Sequence, residues 1–280
     1  MSPSNGQGHD HQRREIVILD GGFSSQLSCH LGEVVDGDPL WSARFLATHP
    51  DDVISTHLDF LRAGADLIIT NTYQASIGGF MQYLGVSSAE ALALIYKSVE
   101  LAKQAREIFL EEYPDGDSQP LVVGSVGPYG AHLHDGSEYD GSYADTTTAE
   151  DDQSIAHGES FQKVAIKCWD SNPSQLVAIG VNCLSPSLVK GLITGINRGR
   201  ENNRIPLIVY PNSGEKYNPQ IGWIDRDKAE PVEAFIHEWL DLGVTYIGGC
   251  CRTYAADVSR IRNQVFRWLN KRYSHSTTEP

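Results

Sequence analysis

Six short apolar, β-branched runs alternate with longer helical stretches along the 280 residues, and this rhythm confines the chain to a parallel α/β architecture. The runs are Ile16–Gly22, Ala65–Tyr73, Pro120–Pro128, Gln175–Cys183, Ile205–Gly214 and Val244–Cys251. Between them, helical periodicity is expected over Leu40–Thr48, Asp51–Ala63, Ser88–Glu112, Ser160–Asp170, Ser187–Arg198 and Pro231–Leu242, and after the last run over Ala255–Lys271. Ser88 is the capping-type residue at the start of the longest helix. Strand, helix, strand at this spacing means parallel strands joined by right-handed crossovers. Every run ends in Gly, Asn, Asp, Cys or Pro, the loop-building and chemistry-bearing types, and a (β/α) barrel builds its active site at those ends. A doubly wound open sheet gives a similar pattern. No run, however, is followed by G-x-G-x-x-G, so a dinucleotide site has no support. The expected architecture is therefore a barrel over residues 15–272, between short disordered tails at 1–14 and 273–280.

Composition excludes several classes. Lys plus Arg number 22 against 36 for Asp plus Glu, a formal charge of −14, which argues against a surface that tracks nucleic-acid phosphates or anionic lipid. No apolar run approaches the ~18 residues of a membrane span. The N-terminal stretch lacks the apolar segment of a secretory signal, and five cysteines suit a reduced cytoplasmic protein better than a disulfide framework.

The cysteines carry the sharpest signal. Cys183 ends one strand, and the adjacent Cys250 and Cys251 end another. Alternate residues of a strand face opposite sides, so neighbouring cysteines converge on one point only where the strand has stopped and the chain is turning. Gly248 and Gly249 are expected to supply that freedom. Three thiolates around Zn²⁺ leave a fourth tetrahedral position open, the layout of a catalytic metal. Buried packing is the competing account of the same spacing, and the spacing leaves both open. Cys29 and Cys168 are expected to be packing cysteines.

Taken together, "ILDGGFSSQL", "GADLIITNTYQAS", "VVGSVGPYGA" with "DGSEY", "IGVNC", "VYPNSGE" and "GGCCRT" resemble the homocysteine S-methyltransferase family, in family order across most of Ile16–Trp268. The resemblance is strongest to the stand-alone enzymes that use S-methylmethionine or S-adenosylmethionine. It implies a zinc-dependent (β/α)₈ barrel that methylates homocysteine to methionine. It also implies Cys183, Cys250 and Cys251 as the zinc ligands and Asp20 as a holder of the amino acid part of the substrate. Asn182, beside a ligand, is a candidate to orient it or to bind substrate. Asn71, Thr72, Tyr210, Asn212, Ser213 and Glu215 are strand-end candidates of lower rank. Tyr129 and Glu138 are candidates to meet the donor, while His9, His11, His132 and His134 read as accidental or surface histidines.

The chain departs from that family in one place. Eight strand–helix units are the family standard, and six are visible here. A strand ending in a Glu-Thr-Ile-Pro-like motif and another ending near Ser-x-x-Cys are both missing. Against the eight-stranded, ~250-residue barrel, about fifty residues are absent between roughly Thr146 and His157. Such a barrel closes with six strands or leaves two open edges. The missing acid is one that the resemblance assigns to the substrate amino group, so the expected site has its metal half intact and its substrate clamp halved. A truncated, inactive relative that keeps the metal site is the alternative.

Overall fold

The computed structural model describes residues 16–32, 35, 37–128, 130–131, 159–218 and 222–276. The strands are β1 (Val17–Ile18), β2 (Leu67–Ile69), β3 (Leu121–Val123), β4 (Ile179–Asn182), β5 (Leu207–Tyr210), β6 (Lys216–Asn218), β7 (Gly222–Ile224) and β8 (Val244–Ile247). Six of these lie inside the six apolar runs. β6 and β7 form an unexpected antiparallel hairpin. The helices are α1 (Phe23–Leu31), α2 (Phe45–Thr48), α3 (Pro50–Arg62), α4 (Ile77–Leu84), α5 (Ser88–Glu112), α6 (Phe161–Ser171), α7 (Pro186–Ile193), α8 (Ile236–Asp241) and α9 (Ala255–Ser276). The last of them continues past residue 272, so Tyr273–Ser276 are helical backbone rather than the start of a tail.

Local chemistry accounts for the helix ends. In front of α5 the cap is Ser87, not Ser88: the Ser87 hydroxyl accepts from the Glu90 amide, and the Glu90 carboxylate accepts from the Ser87 amide at 2.8 Å. α3 starts on Pro50 with Asp51 and Asp52 in its first turn and ends on Arg62, an order that suits the helix dipole.

The parallel strands share one order. β8 pairs with β1 on one side and with β5 on the other, and β5 pairs with β4. β2 pairs with β3, and a single parallel bridge between Leu19 and Leu67 joins that pair to the end of β1. The six therefore run β3–β2–β1–β8–β5–β4. β3 and β4, consecutive parallel strands in sequence, lie at opposite ends, with no pairing between them among the described residues. Residues 132–158 between them, including the expected break at 146–157, lie outside the described residues.

The main core packs Ile18, Ile68, Val209 and Ile247 from the strands with Phe60, Trp239, Ile261 and Trp268 from the helices. A second cluster, with Leu27, Leu46 and Phe80, lies under α1, α2 and α4. The two edges are not so covered. Leu121 of β3 is 62% exposed, Val126 just beyond it 92%, and Val177 ahead of β4 66%. Among the described residues neither edge has a second paired neighbour, and apolar side chains are exposed beside each.

His57 of α3 is fully buried, its ring 4.7 Å from Phe23, and neither ring nitrogen has a hydrogen-bond partner. Burial lowers its pKa to about 3. As pH falls below 6.5 the unfolded chain binds a proton that the folded chain refuses, so stability declines. This one group is expected to cost about 2–3 kcal/mol by pH 4.5. Urea titrations at both pH values check it: His57→Leu should lose that much less between pH 7 and 4.5 than the parent does.

Candidate active site

Two strand ends deliver the three thiols. Cys183 follows β4, and Cys250 and Cys251 follow β8, with β5 between them in the sheet. The Cys183 and Cys251 sulfurs are 3.5 Å apart, those of Cys250 and Cys251 3.7 Å, and all three lie within 4.8 Å of one another. Tetrahedral ligation with Zn–S near 2.3 Å would set sulfurs about 3.8 Å apart, so the cluster fits such an ion. None of the three is in a disulfide, and all are half-buried. Hydrogen bonds from Cys183 and Cys251, together with burial, push the Cys250 thiol well above its usual range. Crowded thiols of this kind ionise together only beside a strong cation, which makes the donor set one for a soft divalent metal.

The turn that gathers them differs from the expectation. Gly248 and Gly249 do not take left-handed backbone; the left-handed residues here are Cys183 (φ 54°) and Arg252 (φ 62°). Gly248 is required for closeness instead. A Cβ there would come within 2.7 Å of the Asp20 carbonyl, the Leu19 Cβ and the Tyr210 ring. Backbone bonds fix the turn from both sides: Gly249 N–H donates to the Asp20 carbonyl at 3.1 Å, and Cys250 N–H to the Pro211 carbonyl at 2.6 Å.

Beside the thiols lies a cavity of about 600 Å³. Asp20, at the end of β1, lines it and is 1% exposed. Its carboxylate accepts from the Tyr210 hydroxyl at 2.5 Å and from the Ile69 amide at 2.7 Å. Burial outweighs those bonds and raises its pKa to about 7. An ammonium group brought alongside would restore the charge. Asn182 also lines the cavity, with its side chain exposed. So do Phe23, Trp41, Tyr73 and Tyr210, which give the cavity aromatic walls.

Among the lower-ranked candidates, Asn71 and Tyr210 line this cavity, and Thr72 lines a smaller neighbouring one. Asn71 is nearly buried; its amide donates to the Ser42 carbonyl while its Oδ1 has no partner. Asn212, Ser213 and Glu215 line neither cavity and build the loop after β5. Cys29 and Cys168, expected to be buried, are exposed on α1 and α6. Tyr129, Glu138, His9, His11, His132 and His134 lie outside the described residues.

Comparison with known proteins decides the family. The homocysteine S-methyltransferase family model matches residues 17–151 and 142–265. This chain belongs to the homocysteine S-methyltransferase family. A betaine-homocysteine S-methyltransferase from Drosophila melanogaster is 41% identical over 315 residues, covering 90% of this chain and 95% of that protein. The crystal structure of the homocysteine methyltransferase MmuM from Escherichia coli matches in its oxidized form with TM-score 0.73 and in its metallated form with 0.72. Each is 30% identical and covers 90% of this chain and 97% of that one. The family match comes in two pieces that meet at residues 142–151, and 315 aligned positions outnumber the 280 residues of this chain. The relative therefore carries residues that this chain lacks, as expected from the missing motifs.

Gly248 is one of several tight points in the backbone frame around the thiols, and a Cβ there meets three different groups at 2.7 Å. Gly248→Ala drives a methyl group into backbone, Leu19 and Tyr210 together, so a loss of about 1–3 kcal/mol is expected. Chemical denaturation measures the loss.

Proposed function

We propose that the chain transfers a methyl group from a sulfonium donor, S-methylmethionine or S-adenosylmethionine, to the thiol of homocysteine, giving methionine, with zinc held by Cys183, Cys250 and Cys251. The frame would be a TIM-type barrel reduced to about six βα units. One observation carries the reading: three cysteine sulfurs at zinc-ligand spacing open onto a cavity that also holds the buried Asp20. Zinc held by these residues would supply a Lewis acid for the substrate sulfur, favouring its nucleophilic thiolate at neutral pH.

The other steps belong to the chain. Asp20, held by Tyr210 and the Ile69 amide, is the carboxylate for the substrate ammonium group. Asn182, exposed at the mouth beside Cys183, is the candidate hydrogen-bonding partner for the remainder of the amino acid. The aromatic walls suit a donor cation, whose charge is lost as the methyl moves and a neutral thioether departs. The proton of the substrate thiol is released to solvent. The name of the Drosophila relative makes betaine the rival donor. A reducing compartment, the cytoplasm, suits three cysteines that form no disulfide.

The competing reading is a truncated relative that binds metal without turnover. It is favoured by the exposed Leu121, Val126 and Val177 and by the residues the relative has and this chain lacks. Methionine formation from homocysteine with S-methylmethionine, S-adenosylmethionine and betaine, each in turn, separates these accounts. Turnover with a sulfonium donor is expected. A folded, zinc-loaded protein inactive with all three sinks the enzymatic reading, and turnover with betaine alone replaces the donor.

Two substitutions probe the parts. Cys183→Ala is expected to lose most of the bound zinc, read by elemental analysis, and at least about 100-fold in kcat/KM. Asp20→Asn should keep the zinc and raise KM for homocysteine by roughly 10–100-fold, the loss of one charged hydrogen bond.

A further inference from the structure

Arg252 follows the last thiol directly and is in left-handed backbone, a conformation that costs a non-glycine residue and persists only where neighbours impose it. The neighbours are identifiable. Its amide donates to the Ser25 hydroxyl of α1 at 2.9 Å. Its guanidinium donates through Nε to the Glu215 carboxylate at 3.3 Å and through Nη1 to the Tyr254 hydroxyl at 2.8 Å. Glu215 is only 6% exposed, and its other carboxylate oxygen accepts from the Ser213 hydroxyl at 3.2 Å. Ser213 in turn donates its amide to the Cys251 carbonyl at 3.1 Å. The loop after β5 thus grips the turn after β8 through Pro211, Ser213 and Glu215, and the first two grips fall on the cysteines themselves.

Glu215 does not line the cavity beside the thiols. A buried carboxylate outside that cavity needs a reason to be there. We propose that Glu215, acting through Arg252, is a positioning residue for the thiol cluster: the ion pair holds the Arg252 backbone in its left-handed state and so fixes where Cys251 points. Ligand positions matter to within about 0.2 Å for a metal site, and an adjacent residue that flips its backbone moves the sulfur by more than that. The inference rests on the reading of Cys183, Cys250 and Cys251 as metal ligands.

Zinc affinity, measured by competition with a chromophoric chelator, tests it without reference to turnover. Glu215→Gln and Arg252→Met are each expected to weaken zinc binding about 10–100-fold, the usual cost of losing a group that orients a ligand. The double variant should be no weaker than the worse single one, since both remove the same pair. Arg252→Lys keeps the charge without the planar fork and should recover part of the affinity lost in Arg252→Met. Variants that bind zinc within twofold of the parent, or losses that add, overturn the proposal. So does a series in which all three single variants fail to fold, because the pair would then hold the fold rather than the ligands. If the parent itself binds no zinc, the reading of the cysteines fails first, and the two failures are told apart.

Discussion

The pairing of β8 on both sides is the interaction on which the site depends. Its register with β1 and with β5 brings the end of the chain's last parallel strand between the ends of its first and its fifth. That puts Asp20, the turn with both adjacent cysteines, and the loop after β5 side by side. The hydrogen bonds from Gly249 to Asp20 and from Cys250 to Pro211 then continue the ladder beyond the strands themselves. Cys183 reaches the same point because β4 pairs with β5. Of the described residues between β3 and β4, only Ser125 and Val126 reach the cavity beside the thiols.

That separation explains how a chain shorter than its relatives keeps an ordered thiol cluster. Four strands, β1, β8, β5 and β4, carry the cysteines and Asp20, and they form one continuous parallel sheet. The loss falls at the far side, where β3 and β4 each have one paired neighbour among the described residues and where Leu121 and Val177 are exposed. The physical penalty is exposed apolar side chains at those edges, a matter of solubility and stability.

Much of this was legible in the residues because strong local signals agree with the fold. β-branched runs became strands, and α5 begins and ends as its periodicity predicts. The placement of three thiols at strand ends follows from period-two geometry alone. What escaped reading depends on contacts distant in sequence. Tyr210 and Asp20 are 190 residues apart, and Arg252 and Glu215 are 37 apart, so neither pair leaves a local trace. Gly248 was legible as necessary but for the wrong reason, since only the packed structure reveals the Leu19 and Tyr210 side chains against it. Short elements also hid: α1 follows two glycines, α4 contains two, and the β6–β7 hairpin has three-residue strands. The exposure of Cys29 and Cys168 is likewise set by which helix face meets solvent.

The central claim is that one metal is held by the three cysteine sulfurs despite the shortened frame. X-ray absorption at the zinc edge of the loaded protein tests it most directly. The account predicts a first shell dominated by three sulfurs near 2.3 Å with one lighter atom, and a fourth sulfur replacing that atom when homocysteine is added. A shell dominated by nitrogen and oxygen, or one unchanged by homocysteine, would contradict it.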